Sequence, residues 1–122
     1  MLIHYAEMRE KFPFIEDYDV VLHRIGGSEA LLERLLAKFL ASYRDDAREL
    51  GTLRAEEKRE EAHRLVHSIK GVSSNLGLAG MYRVSSDLDV ALKAGVETAA
   101  EIDSFGRELG EVVRFLDSAP PS

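Results

Sequence analysis

Arg59-Glu60-Glu61-Ala62-His63-Arg64-Leu65-Val66-His67-Ser68-Ile69-Lys70-Gly71-Val72-Ser73-Ser74-Asn75-Leu76 is the stretch on which the fold turns. Ala62, Leu65, Val66, Ile69, Val72 and Leu76 recur at intervals of one, three and four. With about 100° per residue and His67 set at zero, these positions fall between about 140° and 260°. They make one apolar stripe along a helix, and His67 points nearly opposite to it. Lys70, Gly71, Ser74 and His63 lie within about 60° of His67 by the same step. The spacing predicts a helix from about residue 59 to 76, which Gly77 lets end or bend.

The same period runs through the flanking sequence. Upstream, Ser28 offers an N-cap, and Leu31, Leu32, Leu35, Leu36, Phe39, Leu40 and Tyr43 follow at helical spacing. The pattern predicts one helix continuing to Leu50 or Leu53, with a turn across residues 54–58. Downstream, Leu78, Met81, Leu88, Ala91 and Leu92 form a stripe that ends at Gly95, and Ile102, Phe105, Leu109, Val112, Val113 and Leu116 form another. Before all of these, Asp17 or Asp19 caps a short element carrying Val20, Val21, Leu22 and Ile25, stopped by Gly26-Gly27. Residues 1–13 read as an arm or short helix interrupted by Pro13, and residues 118–122 as a tail that Pro120-Pro121 keeps out of a helix. Nothing alternates with period two, so a sheet is not expected. Long amphipathic helices on short loops must bury their stripes on each other. The expected fold is all-α, an antiparallel four-helix bundle over residues 14–117 with a short additional N-terminal helix or arm.

Composition bounds the function. The 122 residues fit one domain and carry a net charge of −6. An acidic balance argues against nucleic acid. There is no Cys, which excludes a disulfide scaffold, a thiolate metal site and a Cys nucleophile. No apolar run approaches the roughly 18 residues of a membrane span, and the first residues lack a secretory pattern. A cytoplasmic monomer is the expectation.

The outward face of the 59–76 helix holds an unusual set. A mid-helix Gly costs about 1 kcal/mol relative to Ala, and Gly71 faces outward, so packing does not require it. It leaves room beside the His67 imidazole, while Lys70 places a cation one turn away. An imidazole nucleophile, an open approach and a cation suit a side chain that carries a phosphoryl group. Taken singly, His67 and Lys70 are ordinary solvated side chains. Asn75, the only Asn of the chain, serves equally well to stabilise the bend or to meet a partner, and Gly77 is compatible with a helix cap. His63 and His67 also have the i, i+4 spacing of metal ligands. However, Arg64 rather than Glu follows the first His, and a cation sits beside the pair, so no metal is expected. His63 reads as a flanking surface residue. Arg59, His63, Arg64, Lys70 and Arg83 make the surroundings of His67 locally basic within an acidic chain. Leu78 and Met81 are candidates for a partner-facing apolar patch. No GxxxxGK[ST] stretch is present for binding ATP.

His67-Ser68-Ile69-Lys70-Gly71-Val72-Ser73-Ser74-Asn75-Leu76-Gly77 resembles the signature of histidine-containing phosphotransfer (HPt) domains: a His, a Lys three on, a Gly four on, often Asn or Gln eight on, and a Gly ten on. All these positions match. Ile25-Gly26-Gly27 and Leu36-Ala37-Lys38-Phe39-Leu40 are similar to the family's first loop and second helix, so the resemblance runs from about Phe14 to Leu116. Two positions depart from it: Val66 stands where a small Ala is usual, and Lys58 where an Asp often caps the helix. The resemblance implies a phosphorelay intermediate rather than an ATP-using kinase. In that reading His67 accepts a phosphoryl group from the phospho-aspartate of a response-regulator receiver and passes it to another receiver. Lys70 stabilises the phosphate, and His63, Arg64, Gly71, Ser74, Asn75 and Gly77 face the partner. Receivers, and a hybrid histidine kinase, are the implied partners. The chain itself needs no cofactor, since the receiver brings Mg²⁺. The other reading is an interaction module that binds a receiver or kinase without transferring phosphate.

Overall fold

The computed structural model describes residues 15–118. Within them the helices are α1 (Tyr18–Arg24), α2 (Glu29–Tyr43), α3 (Asp46–Ala55), α4 (Arg59–Asn75), α5 (Ala79–Ala94) and α6 (Ala99–Ser118). The expected arm at 1–13 and the last residues of the expected tail lie outside the described residues.

Helix ends follow the sequence signals closely. The Ser28 hydroxyl accepts from the Leu31 N–H at 3.1 Å, which satisfies one orphan donor of the first turn of α2. Gly26 and Gly27 both have positive φ after α1, and Gly95 ends α5 in the left-handed region. Asp17 is the N-cap of α1 but makes no side-chain cap bond. Lys58 likewise precedes α4 without a side-chain cap. Glu60 and Glu61 in the first turn of α4 complement the helix dipole there instead.

One expected helix is two. The run from Ser28 to Leu53 breaks at Arg44-Asp45, where Asp45 leaves helical geometry. The apolar spacing that joins Tyr43 to Leu50 passes through Asp46, and a carboxylate cannot be buried cheaply at a stripe position. Arg44, at the break, reaches across to Asp117 on α6 at 2.6 Å. Asp46 stays half-buried at the start of α3, and burial, with Glu49 and Asp45 beside it, pushes its carboxyl from 3.8 up to about 6. A raised folded-state pKa means the folded chain holds the proton more tightly. The penalty is therefore complete above the folded value, and it disappears as the pH falls towards the unfolded value. Asp46→Asn is expected to stabilise the fold by about 1 kcal/mol at neutral pH. That figure is discounted for partial exposure and for the favourable N-terminal dipole position. Denaturation curves at neutral and acid pH should show the gain shrinking towards zero in acid.

The bundle is closed by α4 against α5, α5 against α6, α2 and α3 against α6, and α3 against α4. Leu32, Leu36, Phe39, Leu50, Val66, Ile69, Leu78, Met81, Leu88, Phe105, Leu109, Val112 and Leu116 fill its core. Leu78 and Met81 are thus fully buried, contrary to the expectation of a partner-facing patch. The short α4–α5 turn points them inward, and among the described residues the large exposed apolar side chains are instead Val20, Tyr82, Val90 and Val96. Among the described residues there is no strand, only an isolated antiparallel bridge between Ile15 and Leu78. Among them, too, no helix is long and apolar enough to cross a membrane.

The α4–α5 turn positions the site. Leu78 N–H donates to Ser73 O at 2.9 Å and Gly77 N–H to Ser74 O at 3.3 Å, the paired bonds of a Schellman ending. Gly77 has φ +68, and a Cβ there would stand 2.5 Å from Val21 Cγ2 and 3.0 Å from Glu16 O. The carbonyl of Gly77 in turn accepts from the Glu16 N–H at 2.8 Å. The start of α1 is therefore laid directly on the turn that joins the two site helices.

Candidate functional site

His67 leaves the outer face of α4 as the wheel requires, and its side chain is 66% exposed. What the linear sequence does not show is its neighbour. Asp89 of α5, 11% exposed at the side chain, faces α4 and gathers three groups from it. Lys70 Nζ donates to Asp89 Oδ2 at 3.2 Å. His67 Nδ1 lies 3.4 Å from the same oxygen. His63 Nε2 lies 2.6 Å from Asp89 Oδ1. That last pair lacks the alignment of a hydrogen bond and leaves both buried atoms without one, so it is a close electrostatic contact. The His63 and His67 rings are 5.8 Å apart between centroids and tilted by 34°.

The electrostatics follow from this crowding. Burial pushes the Asp89 carboxyl up, but the hydrogen bonds from Lys70 and His67, with the His63 and Lys70 charges, outweigh it and hold the group below its ordinary value. Asp89 is therefore a carboxylate at neutral pH, and a carboxylate can only accept. Its contact with His67 consequently requires the hydrogen on Nδ1. That tautomer leaves the lone pair on Nε2, the far nitrogen of an exposed ring.

The other expected site residues divide into two groups. Gly71 is exposed, and a Cβ built there meets nothing within 4 Å; the space beside His67 is open. Arg64 is exposed on α4. Lys70 and His63 are less free than a solvated face implies, since both are half-buried against Asp89. Ser74 and Asn75 sit exposed at the end of α4, and their carbonyls accept from Arg24 Nη1 at 3.2 and 3.0 Å, a cation at a helix C-terminus. Gly77 is committed to the turn and packed beneath α1. In the expected basic rim, Arg59 is paired with Glu97 at 2.8 Å and is thereby partly neutralised.

Asp89 is the residue that sequence reasoning missed. Its signal was present: it lies four after Ser85 and one after Leu88 on the stripe that buries Met81, Ser85, Leu88 and Leu92. An acid inside an apolar stripe needs partners, and α4 supplies them.

A helical bundle that displays one imidazole, held by a buried carboxylate beside a lysine, has the parts of a phosphoryl carrier. The model of the Hpt domain family matches residues 34–117, and the chain belongs to that family, whose domains serve histidine phosphotransfer in two-component signalling. Neither the curated proteins nor the solved structures yield a match.

Proposed function

We propose that the chain is a phosphorelay intermediate that takes a phosphoryl group onto His67 Nε2 from the phospho-aspartate of a receiver domain and yields it to another receiver. The observation that carries this reading is the contact of His67 Nδ1 with Asp89. It supports a ring whose outer nitrogen is the nucleophile. The Nε2 lone pair attacks phosphorus, the N–P bond forms as the P–O bond to the receiver's aspartate breaks, and that carboxylate leaves. The imidazole gains positive charge, which the Asp89 carboxylate offsets through Nδ1–H. Lys70 stands one turn away and can turn from Asp89 towards the incoming phosphate. The open space over Gly71 admits the receiver's loops, and Arg64 and the exposed carboxy-terminal end of α4 border the same face.

Magnesium belongs to the receiver in this scheme. Two imidazoles and one lysine-bound carboxylate do not suit a hard cation that demands oxygen ligands. Receiver partners also imply a cytoplasmic setting, and a bundle with a complete core suits a monomer.

The test is to incubate the chain with phosphorylated receivers and score acid-labile, base-stable phosphate on it. Transfer from at least one receiver is the expected result. Binding of receivers without any label would overturn the proposal in favour of an interaction module. Asp89→Asn is expected to slow acceptance by on the order of tenfold, the loss of one charge-assisted hydrogen bond. Imidazole nitrogen shifts should show His67 losing its preference for the Nδ1–H tautomer, which a merely structural Asp89 would not change.

A further inference from the structure

The i, i+4 pair His63 and His67 supplies only two ligands and has a cation beside it, which is why the sequence argues against a metal. Asp89 alters that balance. His63, His67 and Asp89 each offer one ligand atom, and these atoms lie within 4.8 Å of one another. We propose that this triad binds a borderline-soft divalent cation, zinc foremost, and that zinc and phosphate compete for His67.

The donor set selects the ion. Two imidazoles and one carboxylate with an open fourth position suit Zn²⁺, and they disfavour Mg²⁺ and Ca²⁺, which want oxygen. The geometry is close. Ligand atoms on a tetrahedral zinc stand about 3.3 Å apart at the usual bond lengths. His63 Nε2 and Asp89 Oδ1 are 2.6 Å apart, so they must open by less than about 1 Å. Both are buried polar atoms with no hydrogen bond of their own, so a cation between them displaces none. Asp89 Oδ1 faces the cation, while Oδ2 keeps Lys70. A ligating carboxylate hydrogen-bonded at its other oxygen is the usual outer support of such sites. His67 closes the triad from the solvent side, where its exposed ring is free to swing and the ion can enter.

The consequence for chemistry does not depend on which His67 nitrogen binds. A neutral imidazole has one lone pair. If zinc takes Nε2, the nucleophile is occupied; if zinc takes Nδ1, the proton moves to Nε2. Neither form can attack phosphorus. This consequence rests on the phosphoryl-acceptor reading, whereas the binding does not.

The test is equilibrium binding of ZnCl₂ to the full chain in competition with a chromophoric chelator. One zinc per chain is expected, undisturbed by MgCl₂. His63→Gln, His67→Gln and Asp89→Asn should each weaken it by at least about tenfold, with helix content by circular dichroism confirming that the variants fold. An affinity unchanged in His63→Gln overturns the site, as does no uptake by the parent chain. If Asp89→Asn fails to fold, the two histidine variants decide. Zinc uptake by a chain that accepts no phosphoryl group when zinc-free would sink the phosphorelay reading alone; transfer without zinc uptake would sink only the metal site.

Discussion

A His67→Gln chain is expected to take up no phosphoryl group from any receiver that labels the parent, while its stability stays within about 0.5 kcal/mol. Gln keeps a polar side chain of similar reach but has no nucleophilic nitrogen, because the amide lone pair is delocalised into its carbonyl. The fold should not notice. The His67 side chain is 66% exposed, and Asp89 keeps Lys70 and His63 as partners when His67 is gone. The measurement is the label on the variant beside the parent, with urea denaturation of both. Residual acid-labile label on His67→Gln would move the acceptor to another residue. His63 would be the first to examine, although its Nε2 is directed at Asp89 rather than outward.

The largest effect on folding is expected at Gly77. Its φ of +68 costs a residue with a Cβ about 1–2 kcal/mol. The added atom would stand 2.5 Å from Val21 Cγ2 and 3.0 Å from the Glu16 carbonyl. The backbone carbonyl cannot rotate away, so α1 must lift from the turn, an overpacking cost of about 1–3 kcal/mol. Gly77→Ala should therefore lose about 2–5 kcal/mol in urea denaturation. Gly71→Ala is the informative contrast. It meets open space and gains helix propensity, so it should gain up to about 1 kcal/mol. Equal losses at the two positions would refute the division between a glycine kept for the turn and a glycine kept for clearance.

These two glycines show what the sequence could and could not reveal. Both occupy motif positions, and the wheel placed Gly71 correctly on the outer face. The wheel said nothing of what lies over Gly77, because that neighbour is α1, more than 50 residues away along the chain. The apolar periodicity of α2, α4, α5 and α6 was legible because burial there repeats every turn. The break at Arg44-Asp45 was not, since a single acid at a stripe position competes with strong periodicity on either side. Asp89 stayed hidden for a related reason: an isolated Asp on α5 acquires meaning only when α4 lies against it. His67 and Lys70 were readable because their spacing is local. The carboxylate that joins them belongs to another helix.

Lys70 has a partner before any phosphate arrives. Had it stood unpaired, a phosphoryl group on His67 would gain the whole of a new ion pair and sit in a deep well. If Lys70 turns from Asp89 to meet the phosphate, as the proposed function has it, the gain is only the difference between two ion pairs. On that reading the phosphorylated and free forms would lie closer in free energy than they would beside an unpaired lysine. On the proposed reading, a relay is served by a shallow resting place, and the Asp89 oxygen shared by Lys70 and His67 works towards one.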